Sequence, residues 1–334
     1  MNNRLLKTFI VMFVVVILIS TAVIYFTFDI RALDYLRFFK PWSIAAAFGM
    51  VALGLFFDAC RLITLTKISD EKLTFAHVGN VVLSNYFLAL FTPGASGGAV
   101  AQVMFMKKAG IPIPKATVII LVRTVMSIIF LFFLVPIIFY LDHDLVGWLP
   151  TEIIVFAAFV FISLPIIVIY LMTTDIPDAL ITRFTKRFSD KTQRAICLWY
   201  SDFKQAAFLI GKNPWMMLRA FVESGLSLLC IYSVVPVFFC GIGLDIPVDT
   251  TMGRMCLLNL VLYFTPTPGG TGVAEGGFVV LFSKLLPDGT VGIMAVLWRF
   301  FCEYVPFMLG AVITIRAFGS NVLNQLRIRR EDNT

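Results

Sequence analysis

The stretch YFTPTPGGTGVAEGG, Tyr263–Gly277, interrupts an apolar run with two prolines and five glycines. An earlier stretch, YFLALFTPGASGG at Tyr86–Gly98, does the same. Both carry Thr-Pro-Gly, a small residue, a hydroxyl residue and Gly: Thr92, Pro93, Gly94, Ala95, Ser96 and Gly97, then Thr267, Pro268, Gly269, Gly270, Thr271 and Gly272. Proline removes a backbone donor and clashes with the preceding turn, while glycine takes up positive φ. Each stretch therefore breaks a helix, one in each half of the chain.

The chain around them has 334 residues, of which 59% are hydrophobic and 14% charged. Soluble domains average about 25% charged residues. Apolar runs sized for about 20 residues per crossing place spans near 8–28, 42–65, 116–140, 150–172, 215–240 and 291–315. The basic start and apolar run at the N-terminus read as an uncleaved first span, because no small-residue cleavage site follows. The net charge of +7 belongs to a polytopic membrane protein. Its Lys and Arg residues sort to cytoplasmic loops, so nucleic acid is not implied as a partner. The six cysteines show no metal-ligand spacing and read as small core residues. His77 and His143 are far apart, so neither a metal nor another cofactor is expected.

The two broken segments, 74–108 and 251–286, have arms too short to cross a bilayer fully. They read as re-entrant helical hairpins, tolerated at membrane depth only inside protein or around a polar cavity. Arg4 and Lys7 put the N-terminus inside. The basic loop 174–214, expected to form amphipathic surface helices, and the Arg-rich C-terminal tail also fall inside. Loops 141–149 and 242–250 carry Asp but no Lys or Arg and fall outside. Loop 29–41 runs against this trend, with Arg31, Arg37 and Lys40. Trp42, Trp148 and Trp215 sit at the expected interfaces. The first hairpin then leaves from the cytoplasmic face and the second from the outer face. Thr92-Pro93-Gly94 and Thr267-Pro268-Gly269 are 175 positions apart, and Arg123 and Arg299 are 176 apart. The expected architecture is all-α: about six full spans plus two re-entrant hairpins, with half 1–140 repeated and inverted in half 150–317. Inverted repeats with broken helices characterise many secondary transporters.

Intramembrane charges are costly and mark functional sites or ion pairs. Glu275, just after the second tip, either holds a cationic group or a proton, or pairs with Arg299 or Arg123. Arg123 and Arg299 lie about 12 Å into their spans at 1.5 Å per residue. A guanidinium fork fits phosphate. Arg299 has Glu303 at i+4, whereas Arg123 has no acid within one turn, so its partner is a distant residue or a ligand. Glu223 has Arg219 at i−4, and Asp58 and Arg61 stand at i,i+3; these four are secondary candidates together with Glu303. The tips offer helix-start N–H groups and the hydroxyls of Ser96 and Thr271, next to Gly97 and Gly272, for anion binding or simply for capping. Pro93, Gly94, Pro268 and Gly269 build the tips.

Enzyme readings find little support. Gly94–Gly97 matches the G-x-S-G of intramembrane serine proteases, but those need a histidine base at the serine. His77 stands near the opposite end of its arm and His143 in an outer loop. No D-G-x-x-A-R-type lipid-transferase motif occurs, and no P-loop.

NYFLALFTPGASGGAVAQVMFMKKAGIP (85–112) and TPTPGGTGVAEGGFVVLF (265–282), with Arg123 and Arg299 downstream, resemble the flippase-like transmembrane domain of lysylphosphatidylglycerol synthases. The resemblance covers essentially the whole chain, and Glu275-Gly276-Gly277-Phe278 is its most specific part. Gln102 matches the family and is implied as a substrate-binding residue. Ala99 and Val100 depart from it, standing where members often carry polar residues. The expected location is a bacterial inner membrane, multi-pass, with both termini cytoplasmic as the charge distribution has them. The resemblance implies a lipid translocase lacking the synthase domain, since the sequence runs only to Thr334. The lipid would be a phosphate-bearing amphiphile such as an aminoacyl-phospholipid or a polyprenyl-phosphate-linked lipid. An ion or proton would couple its movement. A membrane-embedded enzyme on a lipid-linked substrate, or a scaffold of envelope biosynthesis, is the alternative.

Overall fold

The computed structural model describes residues 39–90, 92, 96–142, 190–287 and 289–317, with isolated positions between 145 and 185. The expected spans 8–28 and, for the most part, 150–172 lie outside the described residues, as do Pro93, Gly94, His143, Trp148 and the C-terminal tail. Among the described residues every regular element is helical: α1 (Pro41–Ile68), α2 (Phe75–Ala89), α3 (Ser96–Lys108), α4 (Ile113–Leu141), α5 (Asp190–Lys212), α6 (Pro214–Tyr232), α7 (Val234–Gly241), α8 (Val248–Tyr263), α9 (Val273–Phe282) and α10 (Val291–Arg299). A π-helical turn, Phe300–Tyr304, follows α10, and the helix then runs on to Ala317.

Four helices are long and apolar enough to cross a membrane: Pro41–Ile68, Ile113–Leu141, Pro214–Gly241 and Val291–Ala317. They coincide with the four expected spans that fall on described residues. Pro41 and Pro214 open two of them, where a helix has no use for the missing N–H. Trp42 and Trp215 sit exposed at these same ends, as interfacial anchors do. The four arms of the broken segments are shorter. α9 has 10 residues and α3 has 13, roughly 15 and 20 Å at 1.5 Å per residue. Neither spans a hydrocarbon core of about 30 Å.

Three helices stop in the same way. After α1, Glu71 N–H reaches Thr66 O at 3.0 Å and Asp70 N–H reaches Lys67 O at 3.1 Å. After α3, Ile111 bonds to Met106 and Gly110 to Lys107; after α7, Leu244 bonds to Phe239 and Gly243 to Cys240. Asp70, Gly110 and Gly243 all have positive φ. These are Schellman motifs, which give orphan end carbonyls a donor and turn the chain sharply.

The chain forms two compact units, one of residues 1–53, 79–105 and 230–334 and the other of 54–78 and 106–229. The first has an aromatic core. Phe278 stacks on Trp298 at 5.6 Å and packs on Phe282 at 4.5 Å, while Phe301 meets Phe48 at 4.6 Å and Phe238 at 5.1 Å. In the second, Leu62, Leu65, Ile119 and Val122 are buried, and Phe221 packs edge-on against Phe130 and Phe133. A side chain at Gly225 would strike the Phe130 ring, so this glycine sets how closely α6 approaches α4. The amphipathic helix expected within 174–214 is α5, which packs along α4 and leaves Arg194, Leu198 and Phe208 exposed. Of the cysteines expected in the core, Cys256 and Cys302 are buried, Cys60 and Cys230 intermediate, and Cys197 and Cys240 exposed.

Candidate functional site

The second break lies in the first unit, between α8 and α9. Gly269, Gly270 and Gly272 have φ of 56°, 67° and 85°, a region closed to most side chains. Gly270 N–H donates to Thr267 O, and both the N–H and the hydroxyl of Thr271 donate to Pro268 O. Glu275, third residue of α9, reaches back so that its Oε2 accepts from Gly272 N–H at 2.8 Å. This is the return arm of a capping box, with glycine at the N-cap.

Arg299 closes the other side of the turn. Its Nε donates to Glu275 Oε1 at 3.2 Å and its Nη1 to Gly269 O at 2.9 Å. Nη1 also pairs with Glu303, one turn further along. The Tyr304 ring lies 5.9 Å from the guanidinium carbon. Arg299 is 1% exposed. One buried arginine thus holds two carboxylates and a carbonyl of the glycine turn. Its Nη2 has no acceptor among the described residues, and neither hydrogen-bond role of the buried Thr267 Oγ1 is filled. Glu275 and Arg299 pair as one of the sequence alternatives had it, and Arg299 and Glu303 as their spacing implied.

The first break, between α2 and α3, is closed differently. Thr92 Oγ1 donates to Leu88 O at 2.9 Å and accepts from Gly97 N–H at 2.8 Å. Ser96 is exposed and Gln102 is buried. The two breaks meet inside this unit. A Cβ added to Gly269 would stand 2.6 Å from Leu90 Cδ1 and 3.3 Å from Leu90 Cα, so the end of α2 lies close against the second tip and a side chain there would have to displace Leu90.

The second unit holds its own charge cluster. Asp58 accepts from both Arg61 and Arg123, the latter through Nε at 3.0 Å and through Nη2. Arg61 Nη1 donates to Ser127 Oγ at 2.6 Å and Ser224 Oγ at 3.0 Å. Of the two alternatives for Arg123, a distant residue or a ligand, the structure shows a distant residue, Asp58. Nearby in the same unit, Glu223 accepts from Arg219 Nε and Thr64 Oγ1, each at 2.8 Å. Arg219 has 67% of its side chain exposed, while Glu223 has 9%.

Two features escaped the sequence. Arg254, buried on α8, donates through Nη1 to Leu281 O and ties the two arms of the second break together. An Arg two turns into an apolar helix was the available signal. The π turn at Phe300–Tyr304 has no sequence signature, yet it carries Glu303. No group of three or more metal-ligating side chains occurs among the described residues.

The family described as "Lysylphosphatidylglycerol synthase TM region" matches residues 13–310. The chain belongs to that family. A relative described as "UPF0104 membrane protein", from Archaeoglobus fulgidus, is 19% identical over 267 residues, covering 76% of this chain and 80% of its own. Membership agrees with the apolar helices: this is a multi-pass membrane protein of a lipid-associated family. Both breaks and both buried clusters fall within the matched residues.

Proposed function

We propose that this protein is a lipid translocase rather than an enzyme, moving an amphipathic lipid with a phosphate-bearing head group across a bacterial inner membrane. The observation that carries the reading is the contact of Leu90 with Gly269, which brings two helix breaks together in one unit. Irregular backbone at membrane depth is tolerated where it lines a polar path or is covered by protein. Broken helices that meet near the midplane are how many transporters build a substrate site. Membership of a family named for lysylphosphatidylglycerol synthases supports a lipid substrate. An aminoacyl-phospholipid or a polyprenyl-phosphate-linked lipid fits this reading.

In this reading the breaks are re-entrant hairpins, the halves 1–140 and 150–317 are inverted repeats, and both termini are cytoplasmic. Arg123 meets the phosphate. It is the more accessible arginine of its cluster, with 11% of its side chain exposed, and a phosphate competes with Asp58 for its fork of donors. Glu275 and Arg299 keep the second tip in shape, and Ser96, Gln102 and Thr271 line the path of the head group. The acyl chains stay in the bilayer. With no P-loop, the drive is a gradient, the membrane potential or mass action.

The test is head-group accessibility in proteoliposomes. Lipids labelled in the head group, of aminoacyl, zwitterionic, anionic and polyprenyl-phosphate types, are quenched from outside, with and without protein. The expected result is selective loss of the protected fraction for one phosphate-bearing class, reduced at least tenfold by Arg123→Ala in folded protein. If no class moves under any applied gradient, the translocase reading fails.

A further inference from the structure

The second tip is held by an odd number of charges. Arg299 is one cation facing two carboxylates, Glu275 and Glu303, so among the described residues one negative charge is left over at this tip. An ionised carboxylate without a matching cation is among the costliest groups to hold away from water. The two acids are not equivalent. Both oxygens of Glu275 are engaged, Oε1 by Arg299 and Oε2 by Gly272 N–H, and the side chain is 2% exposed. Among the described residues Glu303 is bound through Arg299 Nη1 alone, and its side chain is 25% exposed.

Two further observations converge there. Glu303 lies in the π turn Phe300–Tyr304, and such turns gather at functional sites in helices. The Nη2 of Arg299, nearly completely buried, has no acceptor among the described residues. A donor in that position calls for an acceptor such as water, and water is also the carrier of a proton. The charged groups that act on Glu303 are Arg299 on its own helix and Glu275 on α9. The unit's stretches of α1, α2, α3 and α7 contribute no Lys, Arg, Asp or Glu. On α8 the buried cation, Arg254, is engaged at the far end of α9 through Leu281 O.

We propose that Glu303 is a proton-binding site, loaded from water and read by the Arg299–Glu275 lock on the second tip. A hydronium proton adds to a Glu303 carboxylate oxygen, leaving water and a neutral acid. Arg299 then faces Glu275 alone, one cation to one anion. Release reverses the step and returns Arg299 to a competition between two carboxylates. Loading therefore tightens the grip on Gly269 O and Gly272 N–H, and unloading loosens it. This names the coupling ion of the proposed translocase and rests on that reading for its use, but not for its existence.

The test separates the two. Purified protein in lipid nanodiscs is stepped in pH while the carbonyl stretch of protonated carboxylic acids is followed by infrared difference spectroscopy. In the wild type a titrating component is expected that disappears in Glu303→Gln. Glu303→Asp should shift its frequency, and Glu275→Asp should leave the frequency in place. Monodispersity by size exclusion confirms that each variant folds. A component unchanged in Glu303→Gln, or one that follows Glu275→Asp instead, overturns the proposal. In parallel, lipid movement in proteoliposomes is measured with and without a pH gradient. Movement without the Glu303 component leaves the translocase standing and this proposal refuted. The component without movement of any lipid does the reverse.

Discussion

The two helix breaks share a sequence pattern and are held by different forces. In the first, a neutral hydroxyl, Thr92 Oγ1, bridges Leu88 O and Gly97 N–H across the break. In the second, the equivalent Thr267 plays no such part. Its place is taken by Glu275 and Arg299, which clasp Gly272 N–H and Gly269 O. The two arginines that follow the breaks differ as well. Arg123 is one of two cations on Asp58, while Arg299 is one cation between two acids. Matching spacing along a chain therefore fixes where a charge sits in its span, and not what it binds. Two tips held by forces of different strength respond differently to the same change in their surroundings.

The largest expected difference comes from removing each arginine. Arg299→Met leaves two carboxylates and a turn carbonyl without their cation. Breaking a buried pair this way costs about 3–5 kcal/mol. Arg123→Met leaves Asp58 still bonded to Arg61, and losing the charge-assisted hydrogen bonds to Asp58 costs about 1.5–3 kcal/mol. Unfolding titrated with SDS in mixed micelles should rank Arg299→Met well below Arg123→Met. The opposite ranking would break the contrast between the two clusters.

How much of this was legible in the sequence follows from the spacing of the partners. The pairs at i,i+3 and i,i+4, namely Asp58–Arg61, Arg219–Glu223 and Arg299–Glu303, were readable because a helix places those positions on one face. The four helices long and apolar enough to cross, and both breaks, were readable from apolar length and from Pro and Gly. Asp58 with Arg123, 65 residues apart, was not. Nothing local specifies which helices pack, so the sequence required only that Arg123 have a distant partner or a ligand. The choice of Arg299 over Arg123 as partner of Glu275 was open for the same reason. The seat of Leu90 against Gly269 was invisible because the signal is a missing Cβ, and glycine in a turn already had a sufficient explanation in its φ.

That seat supplies the second prediction. Gly269→Ala meets two penalties: a left-handed backbone, about 1–2 kcal/mol for a residue with a Cβ, and the collision with Leu90. In a Leu90→Ala background the clash with Leu90 Cδ1 is removed, while the strained backbone and the tight approach to Leu90 Cα remain. The double-mutant cycle should therefore show coupling, and contacting residues typically give about 0.5–3 kcal/mol. Additive effects in that cycle would mean that the Leu90 side chain does not seat against Gly269, and would weaken the observation on which the proposed function stands.

The smallest expected effect is the sharpest probe of how the tips differ. Thr92→Val keeps the shape and deletes the hydroxyl that caps Gly97 N–H, a loss of about 1 kcal/mol by the usual worth of such a cap. Thr92→Ser restores the hydroxyl and should recover most of that loss. Thr267→Val deletes a buried hydroxyl that satisfies nothing among the described residues. Removing an unsatisfied polar atom while conserving volume is neutral or stabilising. The same substitution at corresponding positions should thus lower stability in one tip and leave it level or raise it in the other. Equal losses at both would show that Thr267 has a partner, which would make its hydroxyl part of the second tip's hold and the two breaks alike after all.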